Sequence, residues 1–63
     1  MSKREIRKRA GVSQIQVAVQ SGTSLPTVRL FEANEQAVSS AKRRQLEPVY
    51  AAMALVAEGK PAA

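Results

Sequence analysis

The chain contains neither cysteine nor histidine. The first absence removes disulfides and thiolate nucleophiles, the second removes imidazole acid/base chemistry, and together they remove the common zinc sites. No nucleophile–base pair can be assembled from what remains, so an enzyme is not expected, nor any cofactor or metal. Long apolar runs are missing too. The longest, Tyr50 to Ala57, is far too short to span a bilayer, and no charged-then-apolar leader opens the sequence. A cytoplasmic protein without a membrane role is the expectation. Internal repeats, alternating strand patterns and low-complexity tracts are likewise absent.

What is present is positive charge on a small body. Ten Lys and Arg face five acidic residues, giving a net charge of +5 over 63 residues. A chain of that length allows one small domain, or a fragment of something larger, with no room for a separate substrate domain. Its charge attracts phosphate-bearing partners, with nucleic acid the first candidate and an anionic membrane surface the second.

The pattern along the chain is helical. Ser2-Lys3-Arg4-Glu5 has the form of a capping box, which predicts a first helix from about Lys3 to Ala10 that Gly11 ends in a left-handed conformation. Ser13-Gln14-Ile15-Gln16 repeats that pattern, with Val12 placed to staple against Val17, and starts a second helix that runs to about Ser21 and stops at Gly22. Ser24 is the natural cap of a third helix ending near Ala33, since Pro26 sits in its first turn where a missing amide hydrogen costs nothing. Asn34 is expected as a left-handed cap and Glu35-Gln36-Ala37 as a loop. A last segment capped by Val38-Ser39-Ser40 carries Leu46, Val49, Tyr50, Met53 and Val56 at three- and four-residue spacing, a core-facing stripe. Pro48 lies inside it and predicts either a kink or two helices meeting near Glu47. The expectation is therefore an all-α domain of four to five short helices over residues 1–58, with residues 59–63 a flexible tail.

Two short helices joined through a glycine, the second opened by a serine cap and a polar, exposed first turn, are the makings of a helix-turn-helix. Ser13-Gln14, Val17-Ala18, Gly22, Ser24, Val28 and Glu32 stand at the spacing found in the lambda-repressor-like helix-turn-helix family, the Cro/repressor or xenobiotic-response-element type, which this sequence resembles from Ile6 to about Met53 and most sharply from Ser13 to Glu32. Val17-Ala18, Gly22 and Thr27-Val28 also fit the LacI and MerR readers. The upstream helix with Arg7, followed by Gly11-Val12-Ser13-Gln14, favours the repressor type.

The resemblance implies that the third helix lies in the major groove of duplex DNA with Leu25, Pro26, Thr27, Arg29 and Leu30 toward the bases, behind the cap Ser24. Helical spacing agrees, because Val28, Phe31 and Glu32 point the other way. Arg29 is the one long hydrogen-bonding side chain on that face and can grip guanine O6 and N7; the alternative is a phosphate contact or a solvated surface arginine. The sequence departs from the family at Leu25 and Pro26, where Gln, Ser or Arg is common. Leu25 and Leu30 could instead meet thymine methyl groups, or one could be buried against a neighbouring helix.

Gln14, with Ser13 beside it, occupies the position where the resemblance implies a hydrogen bond to the phosphate backbone. Independently of family, the helix starts at Ser13 and Ser39 present unpaired amides to phosphate, and Lys42, Arg43 and Arg44 extend the second of them. Lys3, Arg4, Lys8 and Arg9 form either a flanking electrostatic patch or a solvated face. Arg7 and Glu32 are expected, by the resemblance, to pair across the domain and fix the angle between helices. Ile15 and Val19 put an apolar pair where the family is polar, expected to be covered by the terminal helix or to meet a protein partner. The small residues from Ala51 to Leu55 permit close packing of a second copy.

The function expected is sequence-specific binding of double-stranded DNA and transcriptional regulation as a repressor, by a homodimer whose half-sites lie one helical turn, ~34–36 Å, apart. Two alternatives remain open: a protein-interaction module, antitoxin-like or polymerase-binding, on the same fold, and a basic peptide that binds nucleic acid or anionic lipid without sequence preference.

Overall fold

A computed structural model describes residues 2–59 of the chain. Four α-helices follow one another, α1 (Lys3–Arg9), α2 (Gln14–Ser21), α3 (Leu25–Ala33) and α4 (Ser40–Ala57), with a single 3-10 turn (Glu35–Ala37) before the last. The fold is all-α, with no strand among the described residues. No described helix is long and apolar enough to cross a membrane. Of the expected tail over residues 59–63, all but Gly59 lies outside the described residues.

Serines open every helix. Ser2, Ser13, Ser24 and Ser39 sit at the N-caps, and each hydroxyl accepts a hydrogen bond from the amide three residues on. Only four amides per helix start lack an intrahelical partner, so each cap removes a fixed fraction of that cost. At Ser13 the box is reciprocal: its hydroxyl accepts from Gln16 at 3.1 Å while its own amide donates to Gln16 Oε1 at 2.8 Å. The stops are as local. Gly11 and Gly22 adopt φ of 72° and 71°, a region that L side chains rarely enter. Around each, two bonds close the helix end, Gly11 N–H to the Lys8 carbonyl with Val12 N–H to that of Arg7, and Gly22 N–H to Val19 with Thr23 N–H to Ala18.

Two expectations are corrected and one, at Pro48, is narrowed. Asn34 is not left-handed but extended, with φ −157°, because its side chain accepts from the Gln36 amide at 3.2 Å and so leads the chain into the 3-10 turn in place of an open loop. Pro48 does not divide the last segment, since one helix runs through it. Pro48 and Arg44 are both exposed, so the Arg44 carbonyl that loses its donor is left on the solvent side, where the loss is least costly. Val56 is 51% exposed, not core. At 100° per residue the buried arc of α4 is centred on Leu46, Tyr50 and Met53, and Val56 falls on its margin.

The core gathers Val17 and Ala18 of α2, Val28 and Phe31 of α3, Val38, and Leu46, Tyr50 and Met53 of α4, with Ile6, Ala10, Val12 and Val49 packed around it. Phe31 and Tyr50 meet with ring centroids 5.3 Å apart. Every helix contributes, so no pair of helices buries its apolar face without the others. Ser21 is buried among them without stranding its hydroxyl, which donates to the Val17 carbonyl at 2.7 Å.

Candidate nucleic-acid interface

Besides the packing of Val28 and Phe31, one carboxylate ties α3 to the rest of the domain. Glu32 is the penultimate residue of α3, and its side chain is only 4% exposed. Arg7 of α1 grips it with two bonds, Nε to Oε2 at 2.6 Å and Nη2 to Oε1 at 3.2 Å. Gln14 of α2 donates its amide to Oε1 at 3.2 Å, and the Tyr50 hydroxyl of α4 donates to Oε2. All three other helices therefore converge on one side chain of α3. The expected Arg7–Glu32 pair is formed, and it is larger than a pair.

The electrostatics follow from the geometry. Burial pushes the Glu32 carboxyl upward, but the hydrogen bonds from Arg7, Tyr50 and Gln14 outweigh it and hold it below the usual carboxylate range. The bond to Glu32 raises the Arg7 pKa against the opposing effect of burial. Burial, then donation to the carboxylate, pushes the Tyr50 phenol well above its ordinary value. Arg7 also donates Nη1 to the Val12 carbonyl at 3.0 Å, tying the α1–α2 turn to the same cluster.

With Glu32, Val28 and Phe31 turned inward, α3 leaves Pro26, Arg29, Leu30 and Ala33 exposed. Leu25 and Thr27 are half-buried on either side, and the Thr27 hydroxyl is paired with that of Ser24 at 2.9 Å. Thr27 thus serves the cap first. Helical spacing places Pro26 and Leu30 toward the middle and far edge of the exposed stripe and Arg29 on its margin beside Glu32.

The remaining candidates separate into groups. Ser13 and Ser39 are exposed caps at helix starts, as expected. Gln14 is half-buried and spends its amide on Glu32, a structural partner that its expected phosphate role did not include. Lys42 and Arg44 are exposed, whereas Arg43 is half-buried and leans on the 3-10 turn, donating Nη1 to Gln36 Oε1 at 3.4 Å. Ile15 and Val19 are 62% and 76% exposed, so the terminal helix does not cover them. Ala51 and Ala52 are exposed on α4.

Besides the Gln14 bond to Glu32, two features escaped the sequence reading. Tyr50 was read as core alone, and its hydroxyl bond to Glu32 had no local signal, the two residues lying on different helices. Arg4, read only as part of a basic patch, borders a cleft with Arg29. That cleft has a volume of about 330 Å3 and is walled by Arg4, Arg7, Gln14, Arg29, Glu32 and Ala33.

No protein-family model, curated protein or solved structure matches this chain.

Proposed function

We propose that this chain binds double-stranded DNA through α3, as a helix-turn-helix of the lambda-repressor-like kind, and regulates transcription as a homodimeric repressor. One observation carries the reading: α3, tied by Glu32 to all three other helices, presents an exposed face that carries Arg29 and has Arg4 of α1 beside it, neither of them in an ion pair. Among the described residues, ion pairs engage Lys3 with Glu35 and Arg7 with Glu32, which leaves Arg4, Lys8, Arg9, Arg29, Lys42, Arg43 and Arg44 for an anionic partner. A polyanion that fits a groove to a single helix is duplex DNA. The exposed Pro26 and Leu30 suit apolar contacts in the major groove, above all with thymine methyl groups.

Selection of bound sequences from a random duplex pool tests this. The expected result is an enriched palindromic motif, with a log–log salt slope near −4 to −5 for about four to six phosphate contacts per subunit. No enrichment together with a slope close to zero would refute it. A second reading is favoured by the exposure of Ile15 and Val19 on α2, which suits a protein partner. Replacing both by polar residues would then abolish partner binding and leave DNA affinity intact.

A further inference from the structure

Arg4 on α1 and Arg29 on α3 face one cleft. The other charged residues in its walls, Arg7 and Glu32, cancel each other in a two-bond pair. Glu32 has nothing left to offer. Its Oε1 already accepts from Arg7 and Gln14, and its Oε2 from Arg7 and Tyr50, which fills the roughly four acceptor sites of a carboxylate. Arg4 and Arg29 make no ion pair or hydrogen bond among the described residues. The cleft is therefore walled by two arginines from two different helices that have no ion-pair partner, beside the mutually neutralised Arg7 and Glu32.

Its size suits a small anion. The half-open cleft, about 330 Å3, has room for a phosphate group and its hydration. Guanidinium is planar, permanently charged and presents its donors as a fork that matches phosphate oxygens. Two forks from two helices can hold one phosphate on adjacent edges, and the shared anion relieves the repulsion between them.

We propose that Arg4 and Arg29 form a clamp for a single phosphate group, which on the DNA-binding reading above is a backbone phosphodiester at the edge of the groove that receives α3. The clamp bridges α1 and α3 and sets how deeply α3 enters. Arg29 then spends its donors on the backbone and not on a guanine edge. Sequence preference falls to Pro26, Leu30 and the half-buried Leu25, whose apolar surfaces meet thymine methyls, and to DNA shape.

The test uses the full chain with Arg4→Gln, Arg29→Gln, their combination, and Arg9→Gln as an equal loss of charge on an exposed residue of α1 outside the cleft. Arg4 and Arg29 are exposed and unpartnered, so these changes strand no buried group; thermal melts check that the fold is kept. The first arm titrates inorganic phosphate against chloride at constant ionic strength and follows the arginine Nε–H resonances. Arg4 and Arg29 should shift along one saturating curve, each shift being lost when the other arginine is replaced, while Arg9 stays still. Shifts that fail to saturate, or that are equal at Arg9, overturn the clamp.

The second arm measures affinity for the selected duplex and for a random one. Arg4→Gln and Arg29→Gln should each weaken both by the same factor, roughly fivefold or more, lower the salt slope by about 1, and combine to less than the product. If Arg29→Gln weakens only the selected duplex, Arg29 reads a base and the clamp is wrong. If the losses from Arg4→Gln and Arg29→Gln simply multiply in the combined variant while duplex binding persists, the two arginines act independently, the clamp fails and the DNA reading stands. Saturating phosphate shifts with no duplex binding invert that outcome: the clamp stands with free phosphate as its ligand, and the DNA reading falls.

Discussion

Removing either partner of the Arg7–Glu32 pair should destabilise the domain far more than removing both. The two side chains are 11% and 4% exposed, so solvent screens them little. Breaking a buried pair by deleting one partner costs ~3–5 kcal/mol, because the survivor keeps a desolvated charge. Glu32→Leu belongs at the upper end, since it strands not only the Arg7 guanidinium but also the Tyr50 hydroxyl and the Gln14 amide. Arg7→Met belongs lower, because Gln14 and Tyr50 still donate to the carboxylate. In the double variant no charge is buried, and the residual loss is the Tyr50 hydroxyl, a half-exposed amide and the Val12 carbonyl that Arg7 had bonded, about 1–3 kcal/mol.

Those values must be set against the whole. At about 0.05–0.15 kcal/mol per residue, a 63-residue chain is stable by ~3–9 kcal/mol, so Glu32→Leu alone could unfold most of the population. Urea titrations followed by circular dichroism at 222 nm measure each step of the cycle, with an added stabilising salt where a single variant is already unfolded. The double variant should be more stable than either single one. Losses that are below ~1 kcal/mol for each single change, and strictly additive in the double, would mean that the pair does not form and that α3 is not anchored as described.

The same cluster sets the pH dependence at both ends. Glu32 is held below its ordinary pKa, so its contribution is complete at neutral pH, fades as pH falls below the unfolded carboxylate value and is gone beneath the folded one. Tyr50 is shifted upward, so its contribution is complete below the ordinary tyrosine value of about 10 and is lost as pH rises through the folded value. Tyr50→Phe should cost about 1.5–3 kcal/mol at neutral pH, keep the ring against Phe31, and flatten the alkaline limb of a stability–pH profile. An unchanged alkaline limb would refute the assignment. Pro48→Ala should raise stability by about 1–2 kcal/mol, since it restores a helical amide at an exposed site, less what the more flexible unfolded chain takes back. The melting temperature should rise by roughly 5–15 °C, and a fall would show that the helix depends on the proline.

Legibility in the sequence followed the range of the interaction. The helix starts at Ser2, Ser13, Ser24 and Ser39 and the stops at Gly11 and Gly22 were readable because caps act over two to five residues. Asn34 was misread although it is equally local, since asparagine has two ways to end a helix, and the side-chain turn won over positive φ. At Pro48 the sequence left a kink or a break open, and only the assembled helix, which runs through the proline with its exposed side at that position, excludes the break. The Arg7–Glu32 pair was legible only through the family resemblance. Tyr50 and Gln14 were not, as their bonds to Glu32 need the tertiary fold to bring three helices to one carboxylate. Which charges stay unpaired, Arg4 and Arg29 among them, is also a property of the assembled helices and not of any window of sequence.

Why a chain this small should bury a charged cluster beside its exposed helix is answered by geometry more than by stability. A well-packed apolar replacement for a buried ion pair is often neutral, so Arg7 and Glu32 are poorly explained as sources of free energy. What they supply is direction: a two-bond fork fixes both distance and plane between α1 and α3, which methionine and leucine leave free to slide. That plane sets where Arg4 stands relative to Arg29. The Arg7→Met, Glu32→Leu double variant should therefore keep a cooperative melt yet lose affinity for the selected duplex, by about the factor that Arg4→Gln costs. Full affinity in that folded variant would show that the core alone sets the helix angle, and that the buried cluster has no part in the proposed interface.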